Sequence, residues 1–220
     1  MVVVRKRAKV FFAVIAVVIV ITVASVLIVL YTAKTETGIS LQEYAKQPFG
    51  DVLIMRHATA PGSGDPEGFV LEECSTQREL DIAGLEQASD VGRKLAASTL
   101  KLAPVVYSSQ WCRCFSTARQ LIAQLNEKSS LYSVYGEWGL NSFYEERGGF
   151  TKDRCMQQLN TALLDRLRDA ATEDRNELGN VQTLLVTHKV TVFEVTGIQV
   201  ESGEIVAFDT KSGEAKRLVL

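Results

Sequence analysis

The sequence predicts an α/β protein, a three-layer α/β/α sandwich with a mainly parallel sheet, preceded by one N-terminal transmembrane helix. Three observations lead there. After residue 50, short apolar runs of strand length alternate with helical stretches, the pattern of strands joined by helical crossovers. The clearest runs, Asp51–Arg56 and Val181–Val186, are almost continuously apolar, as strands covered on both faces are. A 22-residue stretch near the N-terminus is apolar nearly throughout.

That stretch, Val10 to Tyr31, is broken only by Thr22 and Ser25 and carries no charge. At 1.5 Å per residue it spans a hydrocarbon core of ~30 Å. Arg5, Lys6, Arg7 and Lys9 precede it and hold residues 1–9 in the cytoplasm by the positive-inside bias. The span is longer than the apolar core of a cleavable signal and no clean cleavage site precedes Tyr31, which favours an uncleaved signal anchor. The expected location is the inner (plasma) membrane, single-pass, with the body on the periplasmic or extracytoplasmic side.

Residues 32–50 read as a polar connector and 51–220 as the folded domain. Within that domain Asp51–Arg56 reads as a strand, Gly62–Cys74 as a Gly/Pro/Glu-rich loop, and Asp81–Ser98 as a helix with Ile82, Leu85, Ala88, Val91 and Leu95 at helical spacing. Pro104–Tyr107 is a second strand, Cys112–Leu125 a helix and Leu131–Tyr135 a third strand. Lys152–Ala171 is helical, with Leu159, Leu163, Leu164 and Leu167 along it. Val181–Val186 is a strand, and Ile205–Asp209 with Leu218–Leu220 forms a terminal hairpin around Lys211–Gly213.

Composition narrows the function. The chain has 220 residues, 46% apolar and 23% charged, which argues against disorder. Residues 1–34 hold five basic and no acidic residues, which leaves 19 basic against 26 acidic beyond them, a net of −7. An acidic body argues against a nucleic-acid partner. Four cysteines are too few for a disulfide-built scaffold of this size.

Ligands in an open parallel sheet bind beyond the carboxyl ends of the strands. Arg56-His57 follows the first strand, Ser108–Arg113 the second, and Thr187-His188 follows Val181–Val186. These are the chain's two histidines, in equivalent places, each with an arginine near in the inferred topology. Arginines grip phosphate oxygens bidentately and neutralise a phosphoryl group in flight. A neutral imidazole can attack phosphorus, a second can donate to the phosphoryl oxygens, and a carboxylic acid must protonate the leaving oxygen. This chemistry needs no metal and no cofactor, and two isolated histidines without a local ligand cluster give no metal spacing.

These residues resemble the histidine phosphatase superfamily, the group that includes phosphoglycerate mutases. Leu53–Ala60 (LIMRHATA) resembles that family's Arg-His-Gly box, with Ala58 in place of glycine. Arg78–Ala88 (RELDIAGLEQA) is similar to its R-x-L-x-x-x-G-x-x-Q-A stretch. Tyr107–Ala118 (YSSQWCRCFSTA) is similar to its S-x-x-x-R-x-x-x-T-A element, and Leu184–His188 (LLVTH) to the segment carrying its second histidine. The four stand in the family's order over residues 51–188. The final stretch, LLVTHKVTVFEVTG followed by GEIVAFD, looks most like an extracytoplasmic branch that includes phosphatases proposed to act on lipopolysaccharide core heptose phosphate.

The resemblance implies a metal-independent phosphomonoester hydrolase acting on a small phosphorylated substrate, with an envelope sugar or glycan phosphate as the narrower expectation. His57 would be the nucleophile. Arg56 and Arg113 would hold the phosphate, His188 would complete the pocket, and Thr59 would add a hydroxyl donor or cap the loop. The Arg78–Ala88 element reads as structural. Two alternatives stay open: a non-catalytic phospholigand-binding or regulatory member, and a phosphohistidine protein phosphatase.

The proton donor is the departure from the family pattern. The L-x-E spacing places the acid at Ser142, which cannot protonate a leaving group well, so Glu145 and Glu146 are the expected candidates, with Glu137 upstream. Trp111, Trp138, Phe143 and Tyr144 are candidates for a sugar-binding rim or for the core. No C-x5-R loop exists, because Ala118 and Gln120 stand six residues after Cys112 and Cys114. Outside the cytoplasm disulfides are permitted, and Cys74 with Cys112 or Cys114 is the feasible pairing.

Overall fold

The computed structural model describes residue 22 and residues 38–125, 131–167 and 181–220. The predicted membrane span, residues 10–31, lies outside the described residues except for Thr22, and among those residues no helix is long and apolar enough to cross a membrane. Gly38–Leu220 forms one compact unit.

The elements of this unit, in chain order, are β1 (Ile39–Ser40), α1 (Leu41–Lys46), β2 (Val52–Arg56), α2 (Ile82–Ala97), β3 (Lys101–Leu102) and β4 (Val105–Ser108). They continue with α3 (Cys112–Ile122), β5 (Ser133–Gly136), α4 (Lys152–Gln158), β6 (Val181–Thr187), α5 (Lys189–Thr196), β7 (Ile205–Phe208) and β8 (Ala215–Val219). The strands form one sheet in the order β1-β8-β7-β2-β6-β4-β5, with β3 also paired to β6. The pairs β2–β6, β6–β4 and β4–β5 are parallel, and β7 is antiparallel to both β2 and β8. The predicted mainly parallel α/β sheet is therefore present, with an antiparallel hairpin added on one side.

Val52–Met55 of β2 and Leu184–Val186 of β6 are fully buried, because helices and loops cover both faces of the central strands. On one face Leu53, Met55, Leu184 and Val186 pack with Val91 and Leu95 of α2 and with Ala118 and Leu121 of α3. On the other, Val52, Ile54, Leu185 and Val206 pack with Leu159, Leu163, Leu164 and Val192.

Three departures from the sequence expectation have physical causes. The connector read over 32–50 is part of the fold from Gly38 on: β1 pairs with β8, Ser40 caps α1, and Leu41 and Tyr44 are buried. The Tyr44 hydroxyl lies 2.7 Å from Gln182 Oε1, a polar contact that composition does not reveal. The predicted helix Lys152–Ala171 is α-helical to Gln158 and then widens into a π-helical turn, Leu159–Leu164, that keeps three leucines buried. Its predicted end beyond Leu167 lies outside the described residues. Helix α5 is hidden in the sequence because KVTVFEVT is rich in β-branched residues, which favour strands when context is ignored.

Helix α2 begins at Asp81, whose carboxylate accepts the Gly84 N–H at 2.8 Å. A Cβ on Gly84 would stand 2.0 Å from the Thr59 carbonyl oxygen, so this helix lies directly against the backbone that follows β2. Gly84→Ala must push that loop aside and is expected to destabilise the domain by about 1–3 kcal/mol. A urea midpoint equal to wild type would contradict this close approach.

Candidate active site

β2, β6 and β4 are neighbours, and their carboxyl ends lie level. Arg56 is opposite Thr187, and Ser108 is opposite Val186. The next residue of each strand continues the pattern: His57 N–H donates to the Thr187 carbonyl and Ser109 N–H to that of Val186, both at 2.9 Å. Parallel pairing thus brings His57 and His188 together from positions 131 apart in sequence. Their ring centroids are 5.3 Å apart, edge to face, and both residues are 4% exposed.

The two rings open onto a cavity of ≈ 600 Å³. Its lining includes Arg56, Arg78, Arg113, Arg147 and Lys189 against, among the described residues, a single carboxylate, Asp65. Such an excess of positive charge in a concave, partly desolvated site favours an anion. The Nε atoms of Arg56, Arg78 and Arg113 are buried and have no hydrogen-bond partner among the described residues.

His57 Nδ1 is 2.7 Å from the Ala58 carbonyl oxygen. A carbonyl only accepts, so Nδ1 carries the proton and Nε2 keeps its lone pair. Burial first, then the charges of Arg113, Arg56 and Arg78, push the His57 pKa down to about 3 against the upward pull of that carbonyl. Burial, Arg113 and His57 likewise hold His188 well below its ordinary value. Both imidazoles are therefore neutral at working pH. His188 Nε2 is 2.8 Å from Ser109 Oγ, which also contacts Asn141 Oδ1 at 3.1 Å. Cys114 lies 3.5 Å from the same nitrogen, but burial pushes its thiol up to about 12, so it is no nucleophile.

Arg113 sits in the first turn of α3, and its Nη1 and Nη2 donate to Asp65 Oδ1 and Oδ2 at 2.8 and 3.1 Å. Asp65 also accepts from Trp111 Nε1 at 3.1 Å and from the Arg78 N–H at 3.1 Å. Burial would raise the Asp65 carboxyl, yet the hydrogen bonds and charge of Arg113, helped by these two N–H groups, hold it below the usual carboxylate range. Arg56 Nη1 donates to the Val200 carbonyl at 3.1 Å. The alanine that replaces glycine is accommodated: Ala58 is fully buried and its N–H donates to Thr117 Oγ1.

The structure thus brings His57, His188, Arg56 and Arg113 together and leaves three other predicted residues out. Thr59 is exposed, and its N–H and Oγ1 both donate to Gln87 Oε1, so it braces the loop onto α2 and does not line the cavity. Glu145 and Glu146 are exposed, outside the lining, and in the left-handed region at φ 54° and 50°. Glu145 instead pairs with Arg147 at 2.7 Å, and Arg147 bonds the Asp65 carbonyl. Glu137 is buried as the cap of the turn Trp138–Leu140. Ser142, where the family spacing puts its acid, does line the cavity. Of the aromatic candidates, Trp111 and Tyr144 line it and Trp138 and Phe143 do not.

Sequence reading misses Asp65, Arg147 and the part played by Arg78. Arg78 belongs to a recognisable motif, but that motif reads as structural. Nothing local distinguishes Asp65 from the other acids of its loop. Cys74 and Cys112 form a disulfide that ties this loop to α3 beside Arg113. They and Glu79 are a group of three whose ligand atoms lie within 4.8 Å, but the disulfide leaves no thiolate for a metal.

No protein-family model and no curated protein matches the sequence. Solved structures similar to the chain include the protein histidine phosphatase SixA complexed with tungstate, at 19% identity and TM-score 0.49, covering 76% of this chain and 92% of that one. Others are the mycobacterial glucosyl-3-phosphoglycerate phosphatase with VO3 (14%, TM-score 0.47, 77% and 97%) and the α-ribazole phosphatase from Shigella flexneri (15%, TM-score 0.44, 77% and 95%). Likeness at this level does not carry an activity across.

Because His57 is held neutral in the folded state, the unfolded chain binds the extra proton below the ordinary imidazole pKa. Stability present above pH ~6.5 should fall as pH drops toward 3, by about 1.4 kcal/mol per pH unit for this residue, and His188 adds in the same direction. Urea midpoints of wild type and His57→Asn between pH 7 and 4 check this. The variant should show the shallower slope, and parallel slopes would refute burial of a neutral His57. Cys74→Ser, which opens a 38-residue separation, should lower stability by about 3–4 kcal/mol in the same titration at pH 7. No change would mean that the disulfide does not constrain the unfolded chain.

Proposed function

We propose that this chain is a metal-independent phosphatase that hydrolyses a phosphomonoester through a phosphohistidine on His57. The observation that carries the reading is the pair of neutral, buried imidazoles facing a cavity with three unsatisfied arginine Nε groups. Arg56, Arg78 and Arg113 supply the charge that neutralises the phosphoryl oxygens, the part a metal plays elsewhere. The Ala58 carbonyl fixes the His57 tautomer, which aims the Nε2 lone pair at phosphorus. His188, held by Ser109, completes the wall against which the phosphoryl group transfers. Water then attacks the phosphohistidine, releases inorganic phosphate and restores the imidazole.

The narrower reading is an envelope sugar phosphate. Tyr144 and Phe193, 55% and 43% exposed, stand in the cavity lining where a sugar ring can stack. We place the domain on the extracytoplasmic side, anchored by residues 10–31, on the strength of the apolar span and the basic residues before it. The Cys74–Cys112 disulfide supports the same side, since such bonds persist in oxidising compartments.

The test is turnover of p-nitrophenyl phosphate by the full chain in EDTA, beside His57→Ala. Activity should survive the chelator and fall by about 10³-fold or more in the variant, as removal of a covalent nucleophile does. Full activity in His57→Ala, or strict metal dependence, would refute the mechanism.

A further inference from the structure

A phosphohistidine mechanism needs an acid for the departing oxygen, and the glutamates expected from the sequence do not reach the cavity. Among the described lining residues one carboxylate remains, Asp65, whose side chain is 6% exposed. We propose that Asp65 is the catalytic acid and base of this site, an inference that rests on the phosphatase reading above.

The geometry carries it. Asp65 takes both terminal nitrogens of Arg113, the fork-on-fork contact with which a guanidinium also holds two phosphate oxygens. A phosphoryl group that seats on Arg113 must displace the carboxylate from those donors. The displaced group stays local, because the Trp111 Nε1–H and the Arg78 N–H still hold it and Arg147 bonds its backbone carbonyl. It then lies beside a phosphoryl anion and has lost its closest cation, and both changes favour the protonated acid. Substrate binding itself thus converts a carboxylate into a proton donor, using the proton that a phosphomonoester monoanion brings.

In the first step the His57 Nε2 pair forms the N–P bond while the ester P–O bond breaks. The Asp65 proton goes to the departing oxygen, which leaves as an alcohol. In the second step a water oxygen bonds to phosphorus as its proton passes to the Asp65 carboxylate. The N–P bond breaks and its electron pair returns to His57. Asp65 then gives the proton taken from water to the departing phosphate and returns as a carboxylate to Arg113, so the sum is one ester and one water to one alcohol and one phosphate.

The experiment compares two substrates in one preparation of the full chain: p-nitrophenyl phosphate, whose leaving oxygen needs little protonation, and β-glycerol phosphate, whose alkoxide needs a proton. In Asp65→Asn, turnover of the alkyl ester should fall roughly 10²–10⁴-fold and that of the aryl ester about tenfold or less. Asp65→Glu should recover part of the alkyl activity. The ratio of the two rates does not depend on how much of the variant is folded. Equal losses on both esters would mean that Asp65 only positions Arg113, and gains on both that it merely blocks the phosphate site; either result overturns the proposal alone. A wild-type chain that cleaves neither ester, or a His57→Ala variant that still does, overturns the phosphatase reading and this inference with it.

Discussion

The site depends on one pairing, the parallel register of β2 with β6. Arg56 opposite Thr187 sends the chain out of the sheet at the same level on both strands, so His57 and His188 emerge as neighbours. A shift of one residue would move one ring by about 3.3 Å along the strand and turn it to the other face. Val52–Met55 and Leu184–Val186 fill the core on both faces, so burial holds the two strands together at the centre of the sheet. The core sets the site, and α3 then brings Arg113 into its lining.

The second constraint is charge. Three guanidinium groups border two buried imidazoles, an arrangement that only works if both rings stay neutral. Desolvation and the arginine field act in the same direction on each ring, so neither needs a counter-charge. Arg113 does need one: at 4% exposed it is as buried as the histidines, and a lone buried cation is destabilising by several kcal/mol. Asp65 meets that need without any ligand, which explains why an anion site can stay folded before its anion arrives.

The central strands and the two histidines are legible in the sequence because each rests on a local signal: an apolar run and a polar residue at its end. The same holds for Arg56 and Arg113. What is not legible comes from contacts between distant segments. Tyr44 reaches Gln182 across 138 residues, and so draws a polar-looking connector into the fold. Thr59 turns from the cavity because Gln87 offers it an acceptor. Glu145 and Glu146 lie within a few residues of Ser142, where the resemblance would put an acid, but their backbone is left-handed and Glu145 is spent on Arg147. Asp65 sits in a Gly/Pro-rich loop whose path no periodicity describes. It is placed by Arg113, Trp111 and Arg78, none of them its neighbour in sequence.

That loop is the least regular part of the site and also the most tied down. Arg78 donates to the carbonyls of Ala60 and Gly62, Gln77 to those of Val70 and Leu71, and the Cys74 sulfur joins α3. The Arg78 and Gln77 side chains thus satisfy backbone carbonyls that a helix or strand would have satisfied from its own backbone. Two ties converge on the two residues that precede Arg113, namely Cys112 through the disulfide and Trp111 through Asp65. The loop and the first turn of α3 are therefore held as one piece. A carboxylate mounted on that piece can exchange partners with an incoming anion while its own position changes little. Irregular backbone fixed in this way places an acidic group in the same cavity lining as the imidazoles, bonded to the arginine that the proposed mechanism has it share with the substrate.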